Sequence, residues 1–143
     1  MIYAAAGAAH FSIAEDFENI YPQLGSWGIW YLPGSKEFWV AATGVGEIIG
    51  GVGLAGGSLA SLLNFNIPSL SGISLASDSA LFLFALTVAV TPANIYMYTH
   101  GAKLPVSGPE VPIAGHIIRG ILQVILLGLL LQMAAPTLTT LMT

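Results

Sequence analysis

Three stretches limit what this chain can fold into more than any other feature. Phe38 to Leu63 contains Glu47 as its one charge, Ser79 to Thr99 contains none, and Val111 to Ala135 contains Arg119 alone. Each meets the length of about 20 apolar residues that a helix needs to cross a bilayer core. The remaining composition agrees, with 55% hydrophobic residues, 7% charged residues and a mean hydropathy of +0.82; soluble domains carry roughly 25% charged residues. At 143 residues the chain is one domain in size. Its only basic residues are Lys36, Lys103 and Arg119, which gives no electrostatic footprint for nucleic-acid phosphates. With no cysteine, disulfides, thiolate metal sites and cysteine nucleophiles are excluded.

The opening MIYAAAGAAHF is a fourth apolar candidate, but its 11 residues reach about 16 Å, half a hydrocarbon core. It reads as the last half of a helix whose beginning is absent, through processing upstream of Met1 or an incomplete copy. No basic n-region precedes it, so a signal peptide fits poorly. The expected architecture is an all-α, four-helix transmembrane bundle in a single domain over 1-143, with helices at about 1-12, 38-63, 79-99 and 111-135 and a long interfacial first loop.

The connections differ in character. Ser12 to Glu37 is acidic and aromatic, with Tyr21, Trp27, Trp30 and Tyr31 ahead of Trp39, and such rings favour the headgroup level. Asn64 to Asp78 is rich in Ser and Asn, and Asp78 is placed to cap the next helix. GAKLPVSGPEVP contains Gly101, Pro105, Gly108, Pro109 and Pro112 as breakers, with Pro112 suited to a first helical turn. Lys36 and Lys103 fall in the first and third connections, and the positive-inside rule puts those loops on the cytoplasm-like side.

Threaded four times, the chain runs its second and fourth helices parallel. Glu47 then lies eight residues past Trp39 and Arg119 seven past Pro112, both at depths of roughly 10 to 12 Å. His10, Asn94, Tyr96 and His100 belong to helices ending on the same side, and His116, Arg119 and Gln123 share a face at i, i+3 and i+7. A charge at a helix centre costs roughly 2.5 to 3.5 kcal/mol, so it faces the interior and finds a partner. Glu47 can stay protonated, whereas Arg119 cannot lose its charge. The expectation is a Glu47–Arg119 contact, direct or through one water, with Asn94 or a histidine completing the hydrogen bonds. Such a pair serves equally as an interhelical clamp or as a ligand or proton site.

Gly46, Gly50, Gly53 and Gly57 are spaced small-xxx-small and read as close-packing positions; a phosphate loop would need a lysine and solvent. His10 and His116 suit interfacial hydrogen bonding or ligation, and His100, beside Gly101, suits helix capping. No metal site is written plainly, although His10, His116 or Glu47 has the chemistry to ligate a pigment magnesium.

The series AGAAHF, GVGEIIGGVGL, VAVTPANIYMYTHG and HIIRGILQVILL resembles the DoxX-like family of small four-helix membrane proteins, from about Gly7 to Met133. The most specific parts are the Gly-x-x-Glu helix and the Pro-Ala-Asn-Ile segment. The resemblance implies a four-helix bundle whose polar positions fall on His10, Glu47, Asn94, His116, Arg119 and Gln123, in the neighbourhood of a redox complex. Two departures stand out: half of the first helix is missing, and the second connection lacks the family's usual basic residues.

Three functions follow in order. The first is a non-catalytic accessory subunit of a larger membrane redox complex, respiratory or photosynthetic, in an organellar, bacterial-type inner or thylakoid membrane. It would pack through its glycine-rich and aromatic faces against other subunits and lipid, with chlorophyll or carotenoid as cofactors in the photosynthetic case. The second is a pocket for a quinone or another small polar molecule, in which Glu47 and His116 exchange protons, Arg119 holds a carbonyl or anion and Asn94 orients it. An enzyme with its own redox turnover comes last, because nothing in the chain carries electrons.

Overall fold

A computed structural model describes residues 1–65, 67–101 and 112–143. Within them the chain is helical, without strands. Its elements are α1 (Ile2–Ser12), α2 (Ala14–Asn19), a 3-10 turn at Ser26–Gly28, α3 (Lys36–Leu62), α4 (Leu75–His100) and α5 (Ile113–Leu141). Three of these, α3, α4 and α5, are long and apolar enough to cross a membrane. Lys103, Pro105, Gly108, Pro109 and the proposed helix start at Val111 lie outside the described residues.

The long helices exceed their expected bounds for identifiable reasons. Ser35 caps α3 by accepting the Phe38 N–H at 3.2 Å, and Ser74 caps α4 by accepting the Ser77 N–H at 3.0 Å. Asp78 therefore stands inside α4 instead of capping it. It accepts the Ser71 N–H at 3.0 Å and the Thr137 hydroxyl at 2.8 Å, tying the second connection and α5 to the start of α4. Pro112 sits at the N-cap of α5, one position before the first turn. At the far end α5 continues past Pro136 to Leu141. Gly101, at φ 61°, closes α4 in the left-handed conformation that glycine adopts without strain.

Packing runs along the sequence. α1 packs on α3, α3 on α4, and α4 on α5, each pair antiparallel, while the backbones of α1 and α5 stay apart, as do those of α3 and α5. The arrangement is thus open, where a closed four-helix bundle would bring the first and last helices together. The cause lies in α3. At about 100° per residue, Gly44 and Gly51 fall roughly opposite Gly46, Gly50, Gly53 and Gly57. A side-chain carbon at Gly51 would sit 2.7 Å from the Ala4 backbone, and one at Gly44 2.7 Å from His10. One at Gly50 would meet Leu83 at 2.6 Å, and at Gly53 and Gly57 it would strike Ser79 and the Ala76 backbone. Glycines on two sides of α3 receive α1 and α4, and the backbone of α5 comes close to that of α4 alone.

The tight end of the α4–α5 pair carries Ala80, Leu83, Leu130 and Ala134, all buried. Beside them the Thr137 hydroxyl lies 2.8 Å from Ser77 Oγ, which accepts the Thr137 N–H at 3.2 Å. At the other end the first connection folds over the helix termini. Trp27, at φ 54°, meets Tyr96 and His100 edge to face at 5.9 and 5.7 Å and donates its indole N–H to Thr99 at 3.3 Å. Lys36 pairs with Glu18 at 2.9 Å, and the Trp39 indole N–H donates to the Pro33 carbonyl at 2.8 Å.

Candidate functional site

The polar residues form two centres, at different levels along α4. The first lies between α1 and α3. Glu47 is 9% exposed and His10 8%, with His10 Nδ1 3.5 Å from Glu47 Oε2. The same Nδ1 lies 3.0 Å from the Ala6 carbonyl oxygen; since that oxygen can only accept, Nδ1 carries the proton and spends it there. The His10 ring stacks on Phe17 at 3.8 Å. Glu47 Oε2 is fully enclosed and has no hydrogen-bond partner among the described residues. Nearby, Tyr3 of α1 reaches across to Thr87 of α4, their hydroxyls 2.6 Å apart.

The second centre lies between α4 and α5. Arg119 Nη2 donates to Asn94 Oδ1 at 2.7 Å, Asn94 Nδ2 to Gln123 Oε1 at 2.9 Å, and Gln123 Nε2 to Thr91 Oγ1 at 2.7 Å. The Thr91 hydroxyl then donates to the Thr87 carbonyl at 2.9 Å. The direction of this chain is fixed at its head. A guanidinium has donors only, so Asn94 must offer it oxygen, which turns the Asn94 amide nitrogen toward Gln123 and the Gln123 nitrogen toward Thr91. Because carboxamides do not readily pass protons along, the chain orients groups and is no proton wire.

This centre lines a groove of about 540 Å³, inside the range of ~300 to 1,000 Å³ usual for small-molecule sites. Its polar wall holds Thr91, Asn94, His116, Arg119 and Gln123, and Tyr98 packs edge to face on His116 at 5.4 Å. The remaining wall is apolar, including Ile95, Ile117, Val124 and Leu127. Gly120 also lines it, and a side-chain carbon there would meet nothing within 4 Å.

Two expected associations fail. Glu47 and Arg119 form no direct ion pair. Glu47 sits beside Gly46, which packs on Leu86, whereas Arg119 is level with Asn94, eight residues further along α4, a separation of about 12 Å in depth. The shared depth had been counted from Trp39 and Pro112. With α3 beginning at Lys36 and α5 at Ile113, Glu47 lies deeper than Arg119. Tyr96 also leaves the polar group. Two residues from Asn94 and Tyr98 along a helix, it points about 200° away, is buried, and stacks on His100 at 4.3 Å.

His116 stands in the groove and His10 beside Glu47, so the three candidate magnesium ligands divide between the centres. Among the described residues no group of three His, Asp or Glu is placed to hold a metal ion. Thr91, Tyr98 and Gly120 were missed from sequence, although Thr91, Asn94 and Tyr98 at i, i+3 and i+7 repeat the spacing already noted on α5. No protein-family model, curated protein or solved structure matches the chain.

Proposed function

We propose that the chain is a non-catalytic membrane-embedded protein that holds a small molecule with a polar head and an apolar body, quinone-like in size, in the groove between α4 and α5. One observation carries this reading: a pre-oriented polar chain headed by Arg119 lines an apolar groove of ligand size. Arg119, Asn94 and His116 serve as head-group contacts, and Ile117, Val124 and Leu127 face the body. Glu47 belongs to a separate centre and is not part of this pocket.

Gly120 supplies the test. Gentle purification followed by mass spectrometry of extracted small molecules should find a co-purifying compound with the native chain and none with Gly120→Leu, whose new side chain enters the groove. Equal recovery from both chains counts against the pocket.

A second reading, the accessory subunit of a respiratory or photosynthetic complex, is favoured by a different observation. Ile118, Leu122, Ile125 and Leu129, at i, i+4, i+7 and i+11 on α5, are each more than half exposed, and the open arrangement leaves that strip to lipid or a neighbouring subunit. Co-migration with a large assembly supports this role, which is compatible with the first. The proposed DoxX-like kinship rests on the order of the sequence motifs alone.

A further inference from the structure

We infer that the α4–α5 groove selects an anionic amphiphile, a carboxylate or phosphate head on a hydrocarbon chain, over a neutral molecule of the same shape; the inference rests on the pocket reading above. Fixing the chain at Arg119 commits the side-chain oxygens of Asn94, Gln123 and Thr91 each to accept a bond from within the protein. What remains uncommitted on this wall is mostly donor: the other guanidinium N–H groups of Arg119 and the second amide protons of Asn94 and Gln123. The wall therefore presents donors and a positive charge to whatever enters.

Among the described residues nothing supplies the counter-charge. No carboxylate among the described residues lies within 4.0 Å of Arg119, and Glu47, the buried acid of α3, lies about 12 Å away in depth. A cation in an apolar layer attracts a partner strongly, because charge-assisted hydrogen bonds there are shorter and stronger than neutral ones. The hydrocarbon tail has its own path. From the level of His116 and Arg119 the groove continues past Gly120, where no side chain intrudes, to Val124 and Leu127.

The experiment uses the full chain in phosphatidylcholine nanodiscs with two spin-labelled probes identical except in charge: doxyl-stearate, at a pH where it is ionised, and its methyl ester. The immobilised fraction of the spin signal reports binding. The acid is expected to bind roughly ten- to a hundredfold more tightly than the ester. Arg119→Gln should reduce the acid to the level of the ester, Arg119→Lys should keep part of the preference, and Gly120→Leu should remove binding of both. Dodecyl phosphate should displace the labelled acid, while inorganic phosphate at the same concentration should not; equal displacement by the free ion would overturn the amphiphile assignment.

Failure separates cleanly from failure of the pocket. Acid and ester binding alike, both lost in Gly120→Leu, leaves a pocket that does not read charge and overturns the inference. Absence of immobilised probe, or binding unchanged by Gly120→Leu, overturns the pocket as well. The matched probes decide the charge question on the native chain even if Arg119→Gln does not fold.

Discussion

Glu47 and Arg119 each place an ionisable group within a long apolar helix, and the two surroundings have little else in common. Around Glu47 the backbones of α1 and α3 are pressed together by Gly7, Gly44 and Gly51, and one carboxylate oxygen has no hydrogen-bond partner among the described residues. Around Arg119 every neighbouring amide is engaged in a directed chain, and the helices part to leave a groove. Close packing brings backbones together by excluding side chains. A binding site needs the reverse, side chains long enough to hold the helices apart and polar enough to be worth facing.

The largest effect that would separate the two regions comes from the glycines. Gly57→Leu places a side chain against the Ala76 backbone, which cannot move aside without shifting α4. We expect a loss of about 3 kcal/mol, the upper part of the range for overpacking. Gly120→Leu should lose less than about 1 kcal/mol, because its side chain enters open space. Thermal unfolding of both variants in one detergent checks this, and similar losses would mean that the groove is filled by protein.

Next is the relation between the centres themselves. Glu47→Gln and Arg119→Gln should act independently, with a double-mutant coupling below about 0.5 kcal/mol, as for sites without shared partners. Breaking a direct buried ion pair would instead cost about 3 to 5 kcal/mol through either residue. Arg119→Gln alone should cost about 1 to 3 kcal/mol, since it disturbs the donor that orients Asn94. Ligand retention should follow the same division, unchanged in Glu47→Gln and weakened in Arg119→Gln.

How much of this was legible in the sequence depends on what each feature requires. The three long helices follow from hydropathy, since twenty apolar residues leave few other choices. The polar face of α5 was readable because His116, Arg119 and Gln123 recur at helical spacing. The partner of each charge was not readable. Depth depends on where each helix begins, which moved to Lys36 and Ile113, and depth says nothing about rotation; Glu47 turns toward α1 because the glycine stripe beside it draws α4 to another face of α3. Tyr96 shows the same point over two residues: sharing a segment with Asn94 places it at the same level but on the far side of the helix. A second pair of glycines, Gly44 and Gly51, was present in the sequence and marks the face of α3 on which α1 packs.

A smaller effect tests the tight end of α4 and α5 against the open one. Thr137→Val keeps the shape but removes the hydroxyl that donates to Asp78 and faces Ser77. A loss of about 1 to 2 kcal/mol is expected for leaving those groups short of a partner. Thr139→Val should change stability by less than about 0.5 kcal/mol, as is usual for an exposed site, because its hydroxyl only returns to the Ala135 carbonyl of its own helix. Equal losses would show that the Ser77–Asp78–Thr137 cluster does not hold the helix pair together.

The smallest expected change has the opposite sign. Gly120 and Gly128 both lie within α5, and a methyl at either position meets no atom within 4 Å. Replacing glycine by alanine in a helix interior is favourable by about 0.5 to 1 kcal/mol, because the unfolded chain loses conformational freedom. Both Gly120→Ala and Gly128→Ala should therefore raise the melting temperature slightly and by similar amounts. Only Gly120 lines the groove, so only there should the gain shrink when a ligand is present, as the methyl takes up room that the ligand uses. If Gly128→Ala is the destabilising variant instead, that stretch of α5 is covered by a neighbouring helix in the native membrane, and the contrast between a packed and an open face would have to be redrawn around α5.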